Sequence, residues 1–158
     1  MPTPVPAGSA ARPGVSSSQR EAIWAVITRM YAAYASGDRA AVDAGLDPEA
    51  TIWDSAAAPL LLGRRDLNRL RDERTVADGG PAESALRAYD PVVDVFGDVA
   101  VVRYWLRVDF ASGPDGLPMR PELVRNTAVL RGDAGGRWLI VHLHEDVHQQ
   151  GGLLADDT

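Results

Sequence analysis

The stretch VAVVRYWLRVDF, Val99–Phe110, alternates for most of its length between apolar side chains and polar or large aromatic ones. Because successive side chains of a β-strand point to opposite faces, this alternation predicts one long strand with two different faces. The face suited to a core carries Ala100, Val102, Tyr104, Leu106 and Val108. The other face carries arginine and tryptophan, so only the first face is expected to be buried.

Three further stretches share this period of two, and hairpin-type sequences (GD, SGPDG and GDAGG) connect them. They are LRAYDPVVDVF (86–96), ELVRNTAVLR (122–131) and RWLIVHLHEDV (137–147). The inner face is expected to continue through Val124, Asn126, Ala128, Leu130, Leu139, Val141, Leu143, Glu145 and Val147. The outer face is expected to carry Arg103, Trp105, Arg107, Arg125, Thr127, Arg131, Trp138, His142 and His144.

The residues before these strands have the spacing of helices, with one short strand, ATIWD, among them. Ser18 and Glu21 have the spacing of a capping box, and Gly37 is typical of a helix end. Asp38 is expected to cap a second, short helix, and Gly63 to open a third. Helices followed by an antiparallel meander indicate an α+β fold, with a curved antiparallel sheet wrapped around N-terminal helices as a cone-shaped α+β barrel.

Composition limits the classes of function. The 158 residues carry a formal net charge of -6, which argues against nucleic acid or an anionic membrane as a partner. There is no cysteine, so thiolate chemistry and thiolate metal sites are excluded. All 16 basic residues are arginine, which excludes Schiff-base chemistry on lysine.

The ends of the chain differ in composition from its middle. Residues 1–15 are rich in Pro, Ala and Gly, which predicts a disordered leader and not a signal peptide. Residues 16–148 are expected to form one domain, and residues 149–158 a flexible tail. No stretch approaches the roughly 18 apolar residues of a membrane span. A cytoplasmic protein is therefore expected.

All three histidines lie near the end of the last strand candidate, at His142, His144 and His148. The first two share a face, as a pair of metal ligands on a strand should. Their neighbours on that face are mostly arginine and tryptophan, whereas Glu145 points to the other side. A divalent cation would be repelled there, so packing or interface histidines are favoured, and neither a metal nor another cofactor is expected.

Several local motifs resemble the nuclear-transport-factor-2-like superfamily, which has the cystatin-like α+β fold. They are YAAYASGD, LDPEATIWDS before a glycine that opens a helix, GDVAVVRY and GRWLIVHLHED. Within the superfamily the chain is similar to the SnoaL-like and ketosteroid-isomerase-like groups, from about Ser18 to Val147. The resemblance implies the fold more specifically than the function, because this fold hosts enzymes as well as non-catalytic assembly domains.

DPEATIWD, GRRDLNRL and GRWLIVHLH also resemble the association domain of calcium/calmodulin-dependent protein kinase, whose cavity is lined with arginines. By this resemblance those arginines correspond to Leu106, Ala128 and Glu145. The resemblance implies that the carboxylate-binding cavity is absent here. It also implies that one position has the opposite charge.

The resemblance to ketosteroid isomerase concerns possible catalytic residues. It places the general-base aspartate at Asp54, in ATIWDS, and the oxyanion-hole acid at Asn126. The tyrosine of that family, near the end of the first helix, corresponds to Met30, with Tyr31 beside it. The resemblance therefore implies a proton-transfer site in which the second acid has become an amide.

The predicted site consists of these residues and their inward-facing neighbours. Asp54 would act as the base, and Asn126 would donate a hydrogen bond to a developing oxyanion. The substrate-binding residues are expected to be Trp53, Tyr31, Tyr104 and Glu145. Two alternatives remain open: Asp54 is a turn aspartate bonded to nearby backbone, and Glu145 pairs with an arginine of the third helix, Arg71 or Arg74.

The sequence thus predicts a small-molecule pocket protein. The favoured function is cofactor-independent acid/base catalysis of the isomerase, cyclase or dehydratase type on a hydrophobic carbonyl compound, as in bacterial secondary metabolism. The alternatives are a non-catalytic ligand-binding or accessory dimer of the same fold, and a purely structural dimer. A homodimer is expected through the outer sheet face, where Trp105, Trp138 and the arginines form a surface of interface composition.

Overall fold

The computed structural model describes residues 12–76 and 82–153. In chain order, its elements are α1 (Ser17–Ala35), α2 (Arg39–Ala44), β1 (Leu46–Trp53), β2 (Leu61–Leu62), α3 (Gly63–Val76), β3 (Glu83–Phe96), β4 (Val99–Phe110), β5 (Met119–Arg120), β6 (Glu122–Gly132), β7 (Trp138–Gln149) and β8 (Gly152–Leu153). No helix in these two segments is long and apolar enough to cross a membrane. Most of the predicted leader lies outside the described residues, whereas Gly152 and Leu153 of the predicted tail pair with β5.

The helix ends follow the capping signals, with one correction. The N-cap of α1 is Ser16, whose Oγ accepts a hydrogen bond from the backbone N–H of Gln19 at 3.1 Å, so the predicted Ser18–Glu21 box is not used. The helix ends before Gly37, which has a φ of 74°, as predicted. Asp38 caps α2 through the N–H of Ala41 at 3.0 Å.

The main sheet has the strand order β2-β1-β7-β6-β4-β3. The pairs β3–β4, β4–β6 and β6–β7 are antiparallel, which confirms the predicted meander. The pair β1–β7 is parallel, which requires a long connection, here supplied by helix α3 and the meander. The α+β class is therefore confirmed, with a curved sheet that stays open in the described residues and does not close into a barrel.

A bulge in β7 corrects part of the predicted face assignment. Val129 pairs with His142, whereas Leu130 pairs with Ile140, so Val141 is an extra residue. Before the bulge the inner position belongs to Ile140, which is fully buried, and not to Leu139 or Val141. Trp138 consequently packs against the core and does not lie on the outer face as predicted. After the bulge, Leu143, Glu145 and Val147 point inward as predicted.

The core lies between α1 and the inner face of the sheet. Ile23 and Ile27 of α1 have no exposed surface, and neither do several residues of the facing strands. These are Ala100, Val102, Ala128, Leu130 and Ile140. Burying a side chain such as isoleucine contributes about 1.5–3 kcal/mol, so these contacts fix α1 against this end of the sheet. The inner face becomes polar one step further along the strands.

Candidate functional site

Polar inner-face residues on three neighbouring strands form a row across the sheet. Tyr104 of β4 pairs with Asn126 of β6, which pairs with Glu145 of β7. Directly paired residues have Cβ atoms about 5 Å apart, so the strand register itself brings the three side chains together. Asp54 follows β1, whose last residue pairs with His144, and it therefore continues the row beside Glu145. We call these four residues the polar row.

One end of the polar row opens into a cavity of about 200 Å³ under α1 and α3. Most of its wall is apolar and comes from Met30, Val42, Leu46, Ile52, Leu67, Leu70, Leu86, Leu106, Val108, Val124 and Leu143. Its polar lining consists of Tyr31, Tyr34, Asp54, Ser55, Arg71, Arg74, Glu83, Glu122 and Glu145. An apolar cavity with a few convergent polar groups is the usual form of a small-molecule site.

Three of the six predicted site residues line this cavity: Tyr31, Asp54 and Glu145. Tyr104 and Asn126 are buried, each 3% exposed. They do not line the cavity themselves, but both lie within hydrogen-bond distance of the hydroxyl of Tyr31, which does. Trp53 is not brought to the cavity. It is 40% exposed on the outer face, because the neighbouring residue Ile52 occupies the inward position and strand alternation then directs Trp53 outward.

The Tyr31 hydroxyl is positioned by two partners. It lies 2.7 Å from the Tyr104 hydroxyl, and Asn126 Nδ2 donates to it at 3.5 Å. Burial raises the pKa of both tyrosines, so both hydroxyls stay protonated. When Tyr104 donates to Tyr31, the Tyr31 oxygen accepts both bonds and its own proton is left to donate into the cavity. The ring of Trp24 packs edge-to-face with that of Tyr104, with 5.4 Å between the ring centroids, and so supports the position of this pair.

Asp54 is tied down. Its Oδ2 accepts hydrogen bonds from the N–H groups of Ala56 and Ala57, both at 2.9 Å, and from Arg74 Nη2 at 2.5 Å. Burial alone would raise the pKa of Asp54, but the Arg74 bond and the two amides outweigh it and lower the pKa. Asp54 therefore has the contacts of a turn aspartate bonded to nearby backbone, which was the alternative interpretation of the sequence. It also forms an ion pair with α3, and its lowered pKa makes it a weak base.

Glu145 has the opposite environment. Burial raises its pKa to about 7, and the negative charge of Asp54 adds to this effect. The backbone N–H of Ser55 donates to Glu145 Oε2 at 3.3 Å. The two arginines predicted as possible partners of Glu145 form ion pairs with other carboxylates: Arg74 pairs with Asp54, and Arg71 pairs with Asp43 at 2.9 Å. Glu145 is thus a carboxyl group that can gain or lose a proton near neutral pH.

The histidines lie on the outer face, each beside a different side chain. His142 Nδ1 is 2.8 Å from Thr51 Oγ1, and the rings of His144 and His148 lie against tryptophans of the same face. Within residues 12–76 and 82–153, no three His, Asp or Glu side chains are grouped as a metal ion would require. These contacts support the packing interpretation of the histidines.

Several cavity residues were not predicted from the sequence. Leu67 and Leu70 follow helical spacing along α3 with Arg74, which was predicted only as a possible partner of Glu145, and this period could have indicated that the two leucines face the cavity. Glu122 precedes Val124 and Asn126 by even steps, so strand alternation already placed it on the inner face. The positions of Tyr34 and Glu83 depend on how α1 crosses the sheet, for which the sequence carries no local signal.

Comparison with known proteins gives a family and a set of similar structures. The family model of the SnoaL-like domain matches residues 23–147. The CaMKII hub of S. rosetta is 28% identical, with a TM-score of 0.65, over 87% of this chain and 98% of that one. None of the curated proteins matches the chain in sequence.

Two further structures have the same fold at lower identity. A ketosteroid isomerase-like protein from Erwinia carotovora atroseptica is 17% identical, with a TM-score of 0.65, over 85% of this chain and 100% of that one. A protein from Catenulispora acidiphila, in complex with S-DNPA, is 15% identical, with a TM-score of 0.68, over 84% of this chain and 95% of that one.

Proposed function

The chain belongs to the SnoaL-like domain family, and we propose that it is a pocket enzyme that transfers a proton on a hydrophobic carbonyl compound without a cofactor. Glu145 is the general base, and the Tyr31 hydroxyl donates to the developing oxyanion. The observation that carries this proposal is that both groups line one apolar cavity, where burial raises the pKa of Glu145 to about 7. A general base is most effective when its pKa lies near the working pH.

The catalytic role predicted for Asp54 passes to Glu145 in this proposal. The bond to Arg74 and the two backbone amides hold Asp54 as an ionised carboxylate, which has little tendency to take up a proton. Its charge raises the pKa of Glu145, so Asp54 acts as a positioning residue. Asn126 and Tyr104 are likewise positioning residues, because they hold the Tyr31 hydroxyl.

The proposed reaction begins with removal of a proton from the carbon next to the carbonyl. The Glu145 carboxylate takes the proton, and the C–H electron pair moves to form an enolate whose oxygen accepts a hydrogen bond from Tyr31. With a β,γ-unsaturated ketone the enolate is a dienolate, and protonated Glu145 returns the proton to its γ-carbon, so the double bond moves next to the carbonyl. With a β-hydroxy ketone, protonated Glu145 gives the proton to the departing hydroxyl, which leaves as water while the α,β double bond forms. The fold shared with a ketosteroid isomerase-like protein supports this reaction class.

Deuterium exchange on a ketone tests the proposal. We expect the protein to accelerate loss of the α-deuterium of deuterated 2-cyclohexenone in ordinary water, followed by proton NMR. The base must be deprotonated to act, so the enzymatic rate should rise with pH, inflect near the Glu145 pKa of about 7 and level off above it. Heat-unfolded protein provides the background. Exchange no faster than that background for any hydrophobic ketone of this size would contradict the proposal.

We also propose that the chain forms a homodimer through the outer sheet face. Three arginines of this face pair with aspartates of the same face: Arg103 with Asp94, Arg107 with Asp109 and Arg125 with Asp146. These aspartates offset the charge of the three arginines. Trp105 lies among the arginines, and the centroid of the His148 ring is 5.5 Å from that of the Trp105 ring. Tryptophan and arginine are enriched at protein interfaces, which supports this face as the contact.

Trp105→Glu is expected to convert the dimer to a monomer, because it places an unpaired charge at the centre of the contact. Sedimentation equilibrium at about ten micromolar would show the change in mass, at a concentration where a specific dimer of micromolar or better affinity is populated. Leu117→Glu, an exposed residue in the loop between β4 and β5, is the matched control and should leave the dimer intact. A monomeric wild-type protein, or a dimeric Trp105→Glu variant, would contradict the proposed interface.

A further inference from the structure

We infer that the ligand of the cavity carries a positive charge: an ammonium group, on an apolar body, that sits between the carboxylates of Glu83 and Glu122. This inference rests on the proposed function in that it takes the same cavity as the ligand site. It adds the chemical class of the substrate, an amine-bearing hydrophobic carbonyl compound. It is carried by the balance of charges on the cavity wall and by their placement.

The cavity wall has more acidic groups than basic ones. Asp54, Glu83, Glu122 and Glu145 contribute four carboxylates, whereas Arg71 and Arg74 contribute two guanidinium groups. Both guanidinium groups form ion pairs within the protein, Arg74 with Asp54 and Arg71 with Asp43. Asp43 does not line the cavity, so Arg71 is shared with a carboxylate outside it. Among the described residues that line it, the cavity therefore has an excess of negative charge that Arg71 and Arg74 do not balance.

Glu83 and Glu122 lie on either side of β4 at the same end of the sheet. Glu83 pairs with Phe110 and Glu122 with Val108, and both pairs are on the inner face. We call Glu83 and Glu122 the rim carboxylates, because Glu83 is exposed and Glu122 half-buried at the ends of their strands. Burial raises the pKa of Glu122, and the charges of Glu83 and Asp54 raise it further. The carboxylates thus act on one another across the cavity.

The two rim carboxylates have different surroundings, because Glu83 is exposed and interacts with Tyr34, whereas Glu122 is half-buried. Leu86, Leu106, Val108 and Val124 line the cavity beside Glu122, so a neutral apolar ligand would remove water from Glu122 and give it no partner. A carboxylate ligand would be repelled. An ammonium group would donate charge-assisted hydrogen bonds to the rim while its apolar body contacts the leucines and valines. Glu145, deeper in the polar row, stays available as the base.

Three probes of equal size separate the possible ligand charges: cyclohexylmethylammonium, cyclohexylmethanol and cyclohexanecarboxylate. In calorimetric titrations at pH 7.5, we expect the ammonium probe to bind at least about tenfold more tightly than the alcohol. The carboxylate probe should show no measurable binding. These titrations use the full-length wild-type protein and need no turnover.

Glu122→Gln should weaken binding of the ammonium probe about tenfold and leave binding of the alcohol unchanged, since it removes charge at nearly constant shape. Glu73→Gln is the matched control, because Glu73 is exposed on α3 outside the cavity and its replacement changes the net charge equally. Glu83→Gln, at an exposed position, serves as the second variant if Glu122→Gln does not fold.

Two results would overturn the inference. If the alcohol binds as tightly as the ammonium probe, the cavity does not select a cation, although the proposed function stands. Equal losses for Glu122→Gln and Glu73→Gln would mean that only the net charge of the protein attracts the probe. Should none of the three probes bind, the cavity is not a site for ligands of this size, and the proposed function fails with the inference.

Discussion

Replacing Glu145 by Gln is expected to lower the rate of α-deuterium exchange about 10²–10⁴-fold, the usual effect of removing a general base. Glutamine has nearly the shape of glutamic acid, so the walls of the cavity and the Ser55 contact should be preserved. The amide cannot accept the substrate proton, however. The loss should appear at all pH values above about 7, where the wild-type carboxyl is deprotonated. NMR exchange rates together with circular dichroism separate loss of the base from loss of the fold.

Asp54→Asn is the matched comparison, because it removes the other carboxylate of the polar row that lines the cavity. Its amide oxygen can still accept from the N–H groups of Ala56 and Ala57, whereas the ion pair with Arg74 is lost. We expect the exchange rate to fall less than about tenfold and its pH inflection to move below the wild-type value, since Asp54 no longer raises the pKa of Glu145. The reverse order, with Asp54→Asn the more damaging, would restore Asp54 as the base.

Much of the fold follows from local patterns in the sequence. The alternation in Val99–Phe110 and Glu122–Gly132 is uninterrupted, so each inner-face residue of β4 and β6 could be predicted correctly. The same alternation placed Glu145 inward, because the strand residues after the bulge are again in phase. The capping side chain of Asp38 and the positive φ of Gly37 are also local features. These predictions succeeded because one residue and its neighbours determine them.

The two remaining errors have different causes. The bulge at Val141 lies within an apolar run, LIV, in which every phase looks equally suitable for a core. Trp53 did have a local signal: Ile52 faces inward opposite Leu143, so strand alternation directs Trp53 outward. The prediction that Trp53 lines the cavity conflicts with this alternation.

The candidate site was predictable in its members more than in their roles. Resemblance pointed to Asp54, but the role of a carboxylate depends on its partners, and Arg74 approaches Asp54 from a helix twenty residues away in sequence. Burial and the charge of Asp54 raise the pKa of Glu145, and the charge of Arg74 offsets this only in part. Resemblance therefore placed Asp54, and strand alternation placed Glu145, in one site, whereas the proposed choice of Glu145 as the base rests on the tertiary ion pair of Asp54.

Stability should also reveal the raised pKa of Glu145, independently of any substrate. The folded protein binds the Glu145 proton more tightly than the unfolded chain, whose ordinary pKa is 4.5, so protonation favours folding. This stabilisation is complete below pH 4.5 and is lost as the pH rises through the folded-state pKa of about 7. The difference between the two pKa values corresponds to about 3 kcal/mol.

We therefore expect Glu145→Gln, which resembles the protonated acid at every pH, to be as stable as the wild type near pH 4.5 and about 3 kcal/mol more stable at pH 8. Urea unfolding of both proteins across this range measures the difference, and other titrating groups largely cancel because both proteins contain them. Asp54, whose pKa is lowered, contributes with the opposite sign in both. A difference that does not change with pH would show that Glu145 titrates as in the unfolded chain, and the base assignment would fail with it.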